Sequence, residues 1–225
     1  MRLWPHGYHM LVCSLPALPA RFDDPGPLPI SPERLQDRLR LLAPGDAEEM
    51  GRFLDVLVWS RTYAERDDAA VVRRYGELLR RIRRPLVREV AETAVDARMV
   101  LTALRRRRRG LGPPEIGVGR WTENIQRHFA EPDFGLGRIF PRLAELHRLL
   151  EASNLAAFHR ALLGATWDHL RWRAGEHVFS FEAVVLYVAR WELMRTWREQ
   201  DADRGRAVFE SLVTEALGEH ADLRS

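Results

Sequence analysis

The chain contains no lysine: all 35 of its basic residues are arginine, set against 32 carboxylates for a net charge of +3. We read this as the coding bias of a GC-rich genome, and it raises the sequence pI to about 9.6. Cysteine occurs once, at Cys13, which excludes a disulfide framework and a cysteine-based metal site. No run approaches the roughly 20 apolar residues that a membrane span requires. The N-terminal apolar stretch from Met10 to about Leu18 is broken by Pro16 and preceded by a single arginine. Val12 stands where a lipoprotein cleavage site wants a small residue, so a cytoplasmic, non-spanning protein is expected.

Catalytic signatures are missing in the same way. Gly110-Leu111-Gly112-Pro113-Pro114 is too rich in proline to present the free amides of a phosphate loop. Asp133-Phe134-Gly135 copies the letters of a kinase metal motif, but no glycine-rich loop, strand lysine or catalytic loop accompanies it. It reads as a helix-breaking turn with Phe134 buried. His6 and His9 stand three apart, and Glu176-His177 precedes a strongly apolar segment. Neither gives the three or four convergent ligands of a metal site. Ser14 and Ser180 lie in no nucleophile elbow, and Cys13 has no neighbouring base. The sequence therefore points away from an enzyme and implies no cofactor and no metal.

What remains is a helical pattern over a globular composition, 46% hydrophobic and 30% charged, with seven tryptophans and nine phenylalanines as anchors. At 225 residues it suits one large domain or two small ones. The first strongly apolar run, Tyr8 to Pro19, is contiguous, and Pro16 and Pro19 bar a helix from passing through it. It is expected to be extended and covered in a groove between helices, with Leu11, Val12 and Leu15 buried. Pro25, Pro27 and Pro29 then force an extended connector.

Ser31-Pro32 opens a helix with Leu35, Leu39 and Leu42 on one face. Pro44-Gly45-Asp46 reads as a turn, with Asp46 capping a second helix and Glu49 three residues on. Asp68 opens a third, which Pro85 ends or kinks. From Leu86 the positions Val90, Ala94, Ala97, Leu101 and Leu104 form a narrow seam along a long helix stopped by Gly110. The segment Gly110 to Gly119 is the expected hinge, dividing 1–109 from 110–225, unless the two form one continuous domain. Beyond it come a short helix near Trp121–Phe129, helices at about Pro141–Glu151, Leu155–Leu163 and Trp167–Arg173, a central buried helix over Phe181–Trp197, and a last one over about Asp203–Leu217. No alternating strand pattern of useful length appears. The fold class is all-α: a multi-helix bundle or funnel with an extended apolar N-terminal segment.

Charge is distributed unevenly. Residues 71–110 hold 13 arginines against Glu77, Glu89, Glu92 and Asp96, a net +9, so the rest of the chain sums to −6. Such asymmetry marks a basic face for an acidic or phosphate-rich partner, or for the protein's own acidic half. Arg105, Arg106, Arg107, Arg108 and Arg109 are the candidate partner-binding residues. Five consecutive helical positions sweep about 400–500°, so they cannot share one face. Helix-end capping accounts for one or two of them. Replacing all five by glutamine is expected to cost the fold no more than about 1 kcal/mol. No aromatic residue interleaves with residues 76–120, which disfavours nucleic acid as the partner.

Three stretches taken in order carry a family resemblance. They are Tyr8 to Leu18 with Ser31-Pro32-Glu33 beyond it; Pro132-Asp133-Phe134-Gly135-Leu136; and a C-terminal pattern. That pattern runs Trp167-Asp168, Leu170, His177, Phe179-Ser180-Phe181-Glu182-Ala183-Val184, Tyr187, Arg190, Glu192-Leu193, Trp197, Gly205 and Phe209. The chain resembles the C-subunit-like proteins encoded in bacterial V-type ATPase operons. His9 departs from that pattern, which commonly has a second aromatic there, and the unbroken arginine run is denser than expected.

The resemblance implies a non-catalytic component of the central rotor of a V-type ATPase or ATP synthase. Such a component links the rotating shaft to the membrane ring, peripheral to the inner face of the cytoplasmic membrane through the complex. It implies the shaft and ring subunits as partners, leaves contact with anionic headgroups open, and offers no catalytic residues to carry over. Phe179, Phe181, Tyr187 and Trp197 are then core, with Glu182 in the first turn of the central helix. Two other readings are an arginine-rich helical RNA-binding protein and an enzyme assembled from His177, Glu182 and Asp168.

Overall fold

The computed structural model describes residues 7–62, 68–115 and 117–199. Every regular element among them is a helix, as the three- and four-residue spacings predict. The elements are α1 (His9–Ser14), α2 (Pro32–Leu39), α3 (Pro44–Thr62), α4 (Asp68–Arg81), α5 (Pro85–Arg108), α6 (Thr122–Arg127), α7 (Leu143–Glu151), α8 (Leu155–Ala174) and α9, whose described part is residues 181–199. The expected helix over Asp203–Leu217 lies outside the described residues.

Three local expectations change. The apolar N-terminal run is not extended throughout, because its first half forms α1. Pro16 forbids helix only at and just before itself. The chain turns extended at Leu15, with ψ of 126°, and leaves the six residues upstream free to coil. Leu11 is buried, while Val12 and Leu15 are half-buried against the same core. Second, Pro44-Gly45-Asp46 is the first turn of α3 and not a loop before it. Proline at a first helical position lacks only an N–H that would be orphaned anyway. Third, the two helices expected around Gly164 are one, α8. A single glycine costs a helix about 1 kcal/mol and does not end it.

Other boundaries follow the sequence chemistry. The Ser31 hydroxyl accepts the N–H of Arg34, and Pro32 fills the first position of α2. Arg84, pushed into the extended region by Pro85, is the N-cap of α5. α5 closes in a Schellman motif at Gly110, whose φ is +68°. There the N–H of Leu111 reaches the Arg106 carbonyl and that of Gly110 the Arg107 carbonyl.

α5 is the axis of the molecule. Its first half packs with α3 and α4, and its length also meets α6, α7 and α8. Two apolar clusters form along it. The larger joins α1 to α4 and the start of α5 with the end of α8 and nearly all of α9. The smaller gathers Met99 to Leu104 of α5 with α6, α7, Phe134, Leu136 and Phe158.

The N-terminal connector is fastened to the larger cluster by polar tips of buried aromatics. Tyr187 donates its hydroxyl to the Pro16 carbonyl at 2.9 Å. Trp167 donates its indole N–H to Ala20 at 3.1 Å, and Trp191 to Ile30 at 3.0 Å. A connector poor in backbone hydrogen bonds of its own thus has carbonyls satisfied by side chains.

Candidate interaction site

The arginine-rich end of α5 is shaped by what each side chain reaches. Arg105 is exposed and lies on the rim of an apolar groove. Arg106 turns back to the loop, its Nε donating to the Gly112 carbonyl at 2.9 Å and one terminal nitrogen to Pro113 at 3.4 Å. Arg107 donates to the carbonyls of Phe129, Glu131 (2.6 Å) and Pro132 (3.4 Å). Its guanidinium lies 4.1 Å from the centre of the Phe134 ring and 5.3 Å from that of Phe129. Burial lowers the pKa of this guanidinium, and Glu151 partly offsets it. Arg108 donates to the Ser153 hydroxyl at 2.7 Å, and both Arg108 and Arg109 are exposed. The run is thus split between structural and outward roles, and the inward partners are mostly loop carbonyls.

The carbonyls that Arg107 meets lie just before the segment with the kinase-like letters, Asp133-Phe134-Gly135. Phe134 is fully buried with φ of +53°, followed by Gly135 at +67°. The Asp133 carboxylate accepts the N–H groups of Gly135 and Gly137 at 3.0 and 3.1 Å. This is a turn held by its own aspartate, with Phe134 plugging the smaller core.

A second polar centre joins the N-terminus, α3, the α4–α5 junction and α9. Tyr8, whose N–H bonds the Phe179 carbonyl at 2.7 Å, donates its hydroxyl to Asp46 Oδ2 at 2.5 Å. Arg84 then bridges Asp46 and Glu182, the latter at 2.9 Å, with its guanidinium 4.6 Å from the Phe181 ring centre. Glu49, almost fully buried, accepts the backbone N–H groups of Arg83 and Arg84 at 2.6 and 2.8 Å. It caps α5 from another helix, a use of the helix-end donors that spacing along one chain does not reveal. Burial pushes the Glu182 carboxyl up, but its hydrogen bonds to backbone, Arg84 and Ser180 together leave it below the usual range. Burial and the Asp46 bond both raise the Tyr8 hydroxyl.

A third centre sits at Asp96, only 1% exposed. It accepts the N–H of Arg120 at 2.8 Å and pairs with the Arg120 guanidinium at 2.7 Å. Burial nevertheless raises its pKa.

The residues considered for an enzyme are engaged separately. Glu182 belongs to the Arg84 centre, whereas Asp168 is exposed and pairs with Arg142 at 3.6 Å. His177 is half-buried in the turn after α8, where its backbone N–H donates to the Ala174 carbonyl at 3.3 Å. His9 stacks on Phe179 with ring centres 4.4 Å apart, and His6 lies outside the described residues. Among the described residues no group of three His, Cys, Asp or Glu side chains is placed to hold a metal ion. No helix among them is long and apolar enough to cross a membrane.

The arginine run is evident from the sequence, but the centres at Arg84 and Asp96 are not. The signal for the first is Asp46 and Glu49 at three-residue spacing, acidic positions on a helix face that otherwise points to the core.

A protein-family model described as "Protein of unknown function (DUF2764)" matches residues 61–219, and the chain belongs to that family. No curated protein matches the chain. No solved structure matches it either.

Proposed function

We propose that this DUF2764 member is a non-catalytic, C-subunit-like component of the central rotor of a V-type ATPase or ATP synthase, seated between the shaft and the membrane ring. The observation that carries this reading is the ordered resemblance itself, taken with where its pieces lie. Tyr8 to Leu18 and Trp167 to Trp197 stand at opposite ends of the chain, yet they form one packing unit. Tyr8 meets Phe179 and Phe181, Pro16 meets Tyr187, and Ala20 meets Trp167. Stretches that resemble one family and also build one core are coherent as a structural signature, which supports the reading.

On this reading the outward members of the arginine run, Arg105, Arg108 and Arg109, contact ring loops, anionic headgroups or an acidic patch of a neighbouring rotor component. Arg106 and Arg107 serve the fold. The protein then sits peripherally on the inner face of the membrane through the complex. The nucleic-acid reading has no observation in its favour beyond the charge of the run.

The test is co-purification. A tagged copy is expressed in cells that carry V-type ATPase genes, and the complex is isolated through its shaft. The chain is expected in the complex at fixed stoichiometry, and alone it should hydrolyse no ATP. Its absence from an otherwise intact complex, or ATPase activity of the purified chain, overturns the proposal. Nucleic acid that copurifies and is lost on replacing Arg105 and Arg109 by glutamine would favour the RNA-binding reading.

A further inference from the structure

We propose that the cavity between the N-terminal connector, α7 and α8 binds a small zwitterion, an α-amino acid with an apolar side chain. The cavity measures about 490 Å³, within the range of small-molecule sites. The connector contributes Phe22 and Asp23, α7 faces the cavity with Glu145 and Leu149, and α8 forms the floor. That floor is low, because Ala157, Ala161 and Gly164 stand on it at four- and three-residue spacing. At Gly164 an added carbon would lie 3.6 Å from the Phe22 ring and 3.9 Å from Arg142, so this glycine marks the narrow end. Beside it the Trp167 ring, almost fully buried, packs against Phe22 with ring centres 6.4 Å apart.

The charges around this cavity are balanced but unequally satisfied. Arg21, Arg142 and Arg160 line it together with Asp23, Glu145 and Asp168. The Asp23 side chain, only 4% exposed, accepts from Arg21 at 2.9 and 3.0 Å and from Arg160 at 2.5 Å, which fixes both guanidinium groups at the cavity's edge. Arg142 and Glu145 are placed differently. Arg142 is the N-cap residue of α7 and Glu145 lies in its first turn, so the two share one face of the helix. Arg142 has only Asp168 for a partner, at 3.6 Å, which is outside hydrogen-bond reach, and both side chains of that pair are more than half exposed. Among the described residues Glu145 makes no hydrogen bond or ion pair. A carboxylate suits the start of a helix, whereas a cation there opposes the helix dipole. Arg142 thus stands against the local preference, one turn from an unpaired carboxylate, and both face the same cavity.

An α-amino acid satisfies both groups at once. Its carboxylate and its ammonium are borne by the same carbon, and a cation and an anion one helical turn apart suit that separation. The carboxylate goes to Arg142 and the ammonium to Glu145, each as a charge-assisted hydrogen bond. The apolar side chain lies along Ala157, Ala161 and Leu149. A purely anionic ligand would face Glu145 without compensation, and a purely cationic one would face Arg142, so the balanced lining selects against both. The Arg142–Asp168 pair is exposed and contributes little, so exchanging it for the ligand's carboxylate costs little. The site depends neither on the arginine run nor on the rotor reading.

The experiment is calorimetric titration of the full chain with L-phenylalanine and L-leucine, alongside phenylacetate and phenethylamine, which each lack one of the two charges. At least one of the amino acids is expected to bind with a millimolar or tighter dissociation constant, and both single-charge analogues at least tenfold more weakly. Arg142→Gln and Glu145→Gln should each weaken amino-acid binding at least tenfold. Their melting temperatures should stay close to that of the wild type, because both positions are exposed. Glu145→Gln removes no contact of the fold, so its effect on binding reports on the ligand alone. Failure of both amino acids to bind at millimolar concentration overturns the proposal. Phenylacetate binding as tightly as L-phenylalanine assigns an anion site and overturns it too. An amino-acid affinity unchanged in both charge variants places the ligand elsewhere and refutes this cavity as its seat.

Discussion

The indole N–H of Trp191 donates to the carbonyl oxygen of Ile30 at 3.0 Å across 161 positions of sequence, and both residues are buried. The bond pins the last turn of the proline connector, just before Ser31 caps α2, to the middle of α9. It therefore fixes where α2 begins relative to α9.

Replacing Trp191 with phenylalanine removes this donor, leaves the Ile30 carbonyl buried without a partner and opens a small void. Together these should cost about 2–4 kcal/mol. Trp167→Phe should cost less, because its acceptor, the Ala20 carbonyl, keeps a second donor in Arg171 at 3.3 Å. Urea unfolding of the two variants checks the order. Equal losses would mean that ring volume, and not the hydrogen bond, controls the site.

Arg84→Met leaves Asp46 and Glu182 facing each other without their shared cation. The Arg84 side chain is 40% exposed, so solvent softens the loss, and about 1–3 kcal/mol is expected. The double variant Arg84→Met/Glu182→Gln should recover part of it, since one of the two unpaired charges is gone. Thermal melts of the single and double variants measure the coupling, and strict additivity would show that Arg84 and Glu182 do not interact.

How far the sequence reveals this molecule depends on the range of the interaction. Ser31, Pro32, Pro85 and Gly110 set helix ends through chemistry confined to a few neighbouring residues, and those boundaries are legible. The buried character of residues 181–194 is legible too, because hydrophobicity all round a helix leaves no solvent face. Glu49 is not, because its partners Arg83 and Arg84 lie 34 and 35 positions away on another element. Arg107 is hidden for the same reason. A run of five arginines announces charge, but nothing local says that one of them meets the carbonyls of a turn more than 20 residues on. Long-range polar pairing carries no period, so it cannot be read from spacing.

Asp23 provides the pH dependence. Its hydrogen bond to Arg21, opposed by burial and reinforced by Arg160, holds its carboxyl down at about 2 against an ordinary 3.8. A carboxylate lowered in the folded state contributes stability that is complete above its unfolded pKa and is lost as pH falls through the folded one. Asp23→Asn should therefore melt below the wild type at pH 6, and the gap should close between pH 4 and 2. A gap of the same size at pH 2 and pH 6 would show that the carboxylate's charge is not what stabilises the connector. Asp96, raised by burial, contributes in the opposite sense, its share of stability declining as pH rises through its folded value.

Gly119 has φ of +103°, and a Cβ there would lie 2.5 Å from Asp96 Oδ1, the oxygen that receives the Arg120 N–H. Gly119→Ala thus combines backbone strain with a clash against a buried carboxylate that has no room to move, at about 2–4 kcal/mol. Gly112→Ala, with nothing within 4 Å of the added carbon, should stay within about 0.5 kcal/mol. Melting temperatures of the pair test the geometry, and a neutral Gly119→Ala would contradict it.

The arginine run gives the last prediction, because the structure divides residues that the sequence treats alike. Arg107 holds the carbonyls of Phe129, Glu131 and Pro132 and covers the face of Phe134, the plug of the smaller core. Glutamine is too short to reach three carbonyls and has no charge to set over a ring. Arg107→Gln should therefore cost about 2–3 kcal/mol. Arg105→Gln, at an exposed position, should stay within about 0.5 kcal/mol. Arg108→Gln loses one exposed bond to Ser153 and falls between them. Replacing all five should then exceed the 1 kcal/mol or so expected from helix propensity alone, and most of the excess should trace to position 107. A variant that changes Arg105, Arg108 and Arg109 and retains Arg106 and Arg107 keeps the fold while removing the outward charge, so it is the one to use against the rotor complex. Urea titration of the five-residue variant and of one that retains Arg107 alone decides the point. If they unfold at the same midpoint, Arg107 is not the clamp its geometry describes.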